Sequence, residues 1–126
     1  LLEYQQAGVP TAMASDDEGV LRTDLTEQFV LAVRRYGLTY SQLKQLARNS
    51  LTYSFLPGES LWRPETKAAI HPACARDAFG SRSSQPSCAA LLANSSKARL
   101  QWSLEADLLQ YERQAVTKAS AKTSER

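Results

Sequence analysis

The spacing of apolar and polar residues changes several times along the chain, and each change marks an element. Residues 1–7, LLEYQQA, put Leu1 and Leu2 on one side and stop at Gly8, the pattern of a helix closed by glycine. Residues 9–14, VPTAMA, are nearly all small or apolar and lack clean alternation. That predicts a short strand covered on both faces, with Pro10 tolerated at its start. Residues 15–25 read as a polar loop with Gly19 as its turn residue. Phe29, Val30, Val33 and Tyr36 then recur at helical spacing, predicting a helix over 26–36, capped by Thr26 or Thr23 and ended by Gly37. Thr39 followed by Gln42 is a capping box, and it opens a second helix over 39–54. Leu43, Leu46, Ala47 and Leu51 form its inner stripe, Lys44, Gln45 and Arg48 point outward, and Pro57-Gly58 stops it.

Residues 59–86 are the least regular part. Leu61 and Trp62 read as an anchor, and Pro64 to Ile70 as a short helix. A long helix is predicted over 96–116, about 30 Å at helical rise. Leu100, Leu104, Leu108 and Tyr111 line one side of it, and 117–126 form a polar tail. Only residues 9–14 qualify as a strand, and one strand has no ladder partner. Either the chain is all-helical, or the rest of a sheet lies outside it. The opening on Leu1-Leu2, without methionine, fits the second expectation. The helix, glycine turn and buried strand in succession are the grammar of β/α proteins, so the fold class expected is α/β.

Composition narrows the function classes. At 43% hydrophobic and 22% charged, the chain suits one globular domain. Its net charge of +2 gives no field that argues for nucleic acid or an acidic partner. No apolar run is long enough for a transmembrane helix, and no signal peptide is visible. Cys74 and Cys88, 14 positions apart, leave three roles open: a disulfide, two free thiols, or a metal ligand pair.

The candidate chemistry sits at the end of the predicted strand, in Ser15-Asp16-Asp17. In β/α folds ligands bind at the carboxyl ends of strands, and adjacent carboxylates there can face a metal and a substrate separately. A bound cation would also offset their repulsion. The plainer alternative is an Asx turn or cap in a solvated loop. An EF-hand is excluded, because its glycine position holds Leu21. His71, before Pro72, lies outside every periodic stripe and reads as a loop residue. The two helices over 26–54 also suggest a helix-turn-helix, with Tyr40, Gln42, Lys44, Gln45, Arg48 and Asn49 as polar contacts. Asp16, Asp17, Glu18 and Asp24 just upstream disfavour phosphate. A non-catalytic structural or growth-factor-like protein is a third class.

The run from VPTAMASDDEG through DLTEQF to YGLTYSQLKQLARNSLTYSFLPG resembles the end of the adenosine deaminase family. It is most similar to bacterial members related to the secreted growth-factor type. The resemblance covers about residues 5–62, and ANSSKARLQWSLEADLLQYE is similar to the family's closing helix. It implies a C-terminal fragment of a zinc-dependent, eight-stranded β/α (TIM) barrel, spanning 1–116, itself mostly helical with 9–14 as the last barrel strand. The implied reaction is hydrolysis of adenosine or deoxyadenosine to inosine and ammonia. Asp16 is then the zinc ligand and catalytic residue, Asp17 the contact to the purine, and Ser15 and Gly19 support the loop. Glu18 stands where the family often has proline. The family's zinc-binding histidines and its catalytic glutamate and histidine have no counterpart here, and His71 matches none of them. The isolated chain is therefore expected to be inactive, with the remainder of the barrel, upstream of Leu1, as its partner. No nucleic-acid or membrane partner is implied. The possible bridge and the resemblance to secreted members point to a periplasmic or secreted protein rather than a cytoplasmic one.

Overall fold

The computed structural model describes residues 1–15, 22, 24–63, 69–81 and 85–124. The chain divides into two compact units, Leu1–Ser54 and Phe55–Arg126. The described residues are mostly helical, with one two-stranded sheet, and do not themselves form a barrel.

The first unit holds α1 (Leu2–Gln6), α2 (Leu25–Tyr36) and α3 (Tyr40–Thr52). Of the two threonines expected to cap α2, Thr26 lies inside the helix and Thr23 lies outside the described residues. Asp24 is the cap, its carboxylate accepting from the Glu27 N–H at 2.8 Å, so the helix starts one residue before the predicted position. Gly37 ends α2 in the left-handed region at φ 64°, donating its N–H to the Val33 carbonyl at 2.8 Å. The Thr39–Gln42 capping box forms in both directions. α3 ends at Thr52, before Pro57 can act. The hydroxyls of Ser50, Thr52 and Ser54 donate to the carbonyls of Ala47, Arg48 and Leu51, so side chains accompany the last turn to its close.

Ala32, Leu38 and Leu46 form this unit's buried cluster, with Leu1, Leu2, Met13, Phe29 and Leu43 packed against it. The stripe expected on α2 is thus only partly used. Phe29 turns inward with Ala32, while Val30, Val33 and Tyr36 stay exposed. Residues 9–14 are not a strand here. Their ladder partners are absent from the described residues, and a strand is defined by its partners.

The second unit holds β1 (Trp62–Arg63), β2 (Ala69–Ile70), a 3-10 turn (Pro72–Cys74), α4 (Pro86–Asn94) and α5 (Ser96–Ser124). The strands pair antiparallel, Trp62 with Ile70 and Arg63 with Ala69. Ala69 and Ile70 are therefore strand, not the end of the short helix expected from Pro64. α5 continues through 117–124, the part expected to be tail. Leu61, Cys74, Cys88 and Ala98 form the core, flanked by Trp62, Ile70, Phe79, Leu91, Leu92 and Trp102. Phe79 lies between the two tryptophans, 5.9 Å from Trp62 and 5.1 Å from Trp102 between ring centroids. Cys74 and Cys88 are joined as a disulfide, Cα to Cα 4.6 Å, tying the 3-10 turn to α4.

The buried face of α5 departs from the expected one. Ser95, just before the helix, and Ala98, Gln101 and Glu105 are buried, whereas Leu100 and Tyr111 are exposed. Gln101 Oε1 accepts the Leu61 N–H at 2.7 Å and its Nε2 donates to Ser60 Oγ at 3.1 Å. Ser95 Oγ donates to the Glu59 carbonyl at 2.6 Å and accepts the Ala98 N–H at 3.0 Å. A polar face is buried because the loop before β1 presents backbone groups that apolar side chains could not satisfy.

Candidate functional site

The aspartate pair and Gly19 lie outside the described residues; Ser15 is the last described residue before them. The structure does describe what leads to them. Gly8, at φ 74°, turns the chain out of α1, and the Val9 N–H donates to the Tyr4 carbonyl at 2.9 Å. From Thr11 to Ser15 burial alternates: Thr11, Met13 and Ser15 are half-buried, Ala12 and Ala14 exposed. That is the period-two pattern of an extended chain. Met13 packs on the Ala32–Leu38–Leu46 cluster.

Asn49 of α3 holds the same segment. Its Nδ2 donates to the Thr11 carbonyl at 2.6 Å, and its Oδ1 accepts from Gln45 Nε2 at 2.8 Å. A carbonyl can only accept, so the amide orientation follows from the network. Asn49 is 8% exposed, although the sequence placed it among outward polar contacts. The helix-turn-helix reading thereby loses two contact residues, since Gln42 is also engaged in its capping box. Asn49 was legible only as an interruption: one turn after the inner Leu46, it is a polar residue where the stripe calls for an apolar one.

Among the described residues no group of three or more His, Cys, Asp or Glu is placed to hold a metal ion. His71 belongs to the second unit and has a local role. Its Nδ1 accepts the Ala73 N–H at 3.2 Å, capping the 3-10 turn, and its Nε2 lies 3.2 Å from the Glu59 carboxylate. The cysteines are bridged and unavailable as ligands. The described side chains thus do not fit a zinc centre by themselves. No helix among the described residues is long and apolar enough to cross a membrane.

The family model for adenosine deaminase matches residues 1–63. The chain belongs to the adenosine deaminase family. The match takes in the segment 9–15, the aspartate pair, α2, α3 and β1. Among curated proteins, the chain is 40% identical over 60 residues to an aminodeoxyfutalosine deaminase of Streptomyces coelicolor, covering 46% of this chain and 16% of that protein. It is 36% identical over 54 residues to an N6-methyl-AMP deaminase of Danio rerio, covering 43% of this chain and 16% of the relative. An adenosine deaminase-like protein of Drosophila melanogaster is 34% identical over 55 residues, covering 44% of this chain and 16% of its own length. The aligned part thus spans 16% of the length of these relatives. No solved structure matches the chain.

Proposed function

We propose that this adenosine deaminase family segment is the closing part of a hydrolytic deaminase that acts on an amino-substituted purine nucleoside, adenosine first among them. The observation that carries this reading is the family match over residues 1–63, with Asp16-Asp17 directly after the segment that α3 and the first core hold. Asp16 would supply one carboxylate to zinc, and Asp17 would contact the purine ring near N7. Zinc, when bound, makes hydroxide available near neutral pH. The other ligands and the proton-transferring groups come from sequence beyond these 126 residues, with which the apolar residues of this segment pack. The buried Cys74–Cys88 bridge supports an exported protein, since disulfides persist in oxidising compartments.

The test is conversion by the full-length protein of adenosine and deoxyadenosine, read as ammonia release, and of N6-methylated purine nucleosides, read as methylamine release. Asp16→Ala abolishes turnover and lowers bound zinc. Asp17→Ala keeps zinc and loses most of kcat/KM. The isolated 126 residues neither turn over substrate nor bind zinc at micromolar concentration. Full activity in Asp16→Ala, or tight zinc binding by the isolated chain, overturns the reading.

A further inference from the structure

We infer that the Cys74–Cys88 bridge is a lock rather than a redox sensor, yielding to a dithiol reductant only when the second unit has opened. It does not depend on the deaminase reading above. Both cysteines are fully buried, and so are Leu61 and Ala98 in the same cluster. Trp62 of β1, Leu91 of α4 and Trp102 of α5 pack against that cluster, so its cover is drawn from three elements. Thiol–disulfide exchange requires a thiolate to reach one of the two sulfur atoms. One thiolate of the dithiol attacks Sγ of either cysteine, the S–S bond breaks, and the other cysteine leaves as a thiolate that takes up a proton. The second thiolate of the reductant then attacks the mixed disulfide and expels the first cysteine in the same way. Two electrons and two protons pass to the protein, and the dithiol closes as a disulfide. The folded unit opposes both steps. The sulfur atoms are out of reach, and the leaving thiolate would form in an apolar core that solvates its charge poorly.

Local opening of the 3-10 turn would bypass this requirement, and the turn is pinned against it. The Ala73 N–H donates to His71 Nδ1 at 3.2 Å, and the His71 N–H to the Leu61 carbonyl at 2.7 Å. Ser87 Oγ donates to the Ala73 carbonyl at 2.9 Å, a second tie between the turn and α4, one residue from each cysteine. Asp77 Oδ2 accepts the Gln85 N–H at 2.8 Å where α4 begins. Lifting Cys74 out alone breaks these ties while the bridge still holds it to Cys88, so the turn opens with the unit. The bridge thus answers to two conditions together, an opened unit and a reductant, and a reductant alone leaves it formed.

The test is reduction of the folded full-length protein by dithiothreitol, at concentrations where the rate is proportional to the reductant. Thiols at Cys74 and Cys88 are trapped by alkylation and located by peptide mass. The same protein unfolded in urea gives the unshielded rate. Opening of the unit is measured separately by amide exchange at Leu61 and Ala98, whose N–H groups donate to Gln101 and Ser95. Reduction is expected to be slowed at least about 100-fold, and by the same factor as exchange at those amides to within about tenfold. Gln101→Leu removes the Leu61 acceptor but leaves the ties of the 3-10 turn in place. It speeds reduction, and exchange at Ala98, alike by about 5- to 100-fold. Low urea carries the test if that variant does not fold: the logarithm of the reduction rate rises with urea as steeply as that of exchange. A sensor reached by local opening predicts thiols that appear more than about tenfold faster than the amides open, a rate flat in low urea, and no response to Gln101→Leu. Any one of these overturns the inference, as do free thiols at both cysteines before reductant is added. All of them leave the deaminase reading intact.

Discussion

Breaking the Cys74–Cys88 bridge is expected to destabilise the second unit far more than the first. The bridge closes a loop with a sequence separation of 14, and both cysteines are fully buried in the core that seats Leu61. Loop-closure entropy for that length is about 10 cal/mol/K, or about 3 kcal/mol at room temperature. Reduction removes no side-chain heavy atom, so in the loop-entropy account the loss comes from the unfolded chain, which gains freedom. The chain's two tryptophans, Trp62 and Trp102, both flank this core and pack on Phe79, so their fluorescence reports on this unit. Urea titration of the oxidised chain and of the fully reduced chain gives the comparison, with two free thiols verified by alkylation and mass. With a slope of roughly 1–1.5 kcal/mol/M for a unit of this size, the midpoint falls by about 2–3 M on reduction. The slope itself should rise slightly, because an unbridged chain exposes more surface. A difference below about 1 kcal/mol between two folded forms refutes the reasoning, for it means that the unfolded ensemble was already compact over residues 74–88.

Gly58→Ala should cost about 3 kcal/mol or more by thermal unfolding, because φ is 100° and a Cβ would overlap Ser95 Oγ and stand 2.6 Å from its Cα. Near-wild-type stability would mean that Ser95 can withdraw from Glu59 at little cost. Gln101→Leu, nearly equal in size, should cost about 1–3 kcal/mol by denaturation, since it leaves the buried Leu61 N–H without its acceptor. A neutral or stabilising outcome would show that water or another acceptor reaches that amide.

What could be read from the sequence divides along physical lines. Thr39 and Gln42 were readable because a capping box is complete within four consecutive residues and needs nothing distant. Gly37 was readable for the same reason. The stripe Leu100, Leu104, Leu108, Tyr111 held only in part, with Leu104 and Leu108 half-buried and Leu100 and Tyr111 exposed: periodicity reports that a face is apolar, not which neighbour is present to cover it. The face actually buried carries Gln101 and Glu105; Gln101 takes the Leu61 N–H, and no local pattern announces that pairing across 40 positions. Asn49 failed for the same reason, its partner Thr11 being 38 positions away. The aspartate pair is marked in the sequence by its adjacency and by the family resemblance, and it lies outside the described residues.

The end of the family match and the folding boundary do not coincide. The match stops at residue 63, whereas the second compact unit begins at Phe55. Residues 55–63 therefore belong by resemblance to the deaminase segment and by packing to the bridged helical unit. Leu61 shows why the packing assignment is physical. Its side chain is 0% exposed, on a core made of Cys74, Cys88 and Ala98, all beyond the match. Its N–H is satisfied by Gln101, also beyond it. Cutting the chain at 63 would expose that leucine, at about 2 kcal/mol, and return its amide to water. The last residues of the family match are thus packed by a part that the match does not cover, and the disulfide stands in that second part.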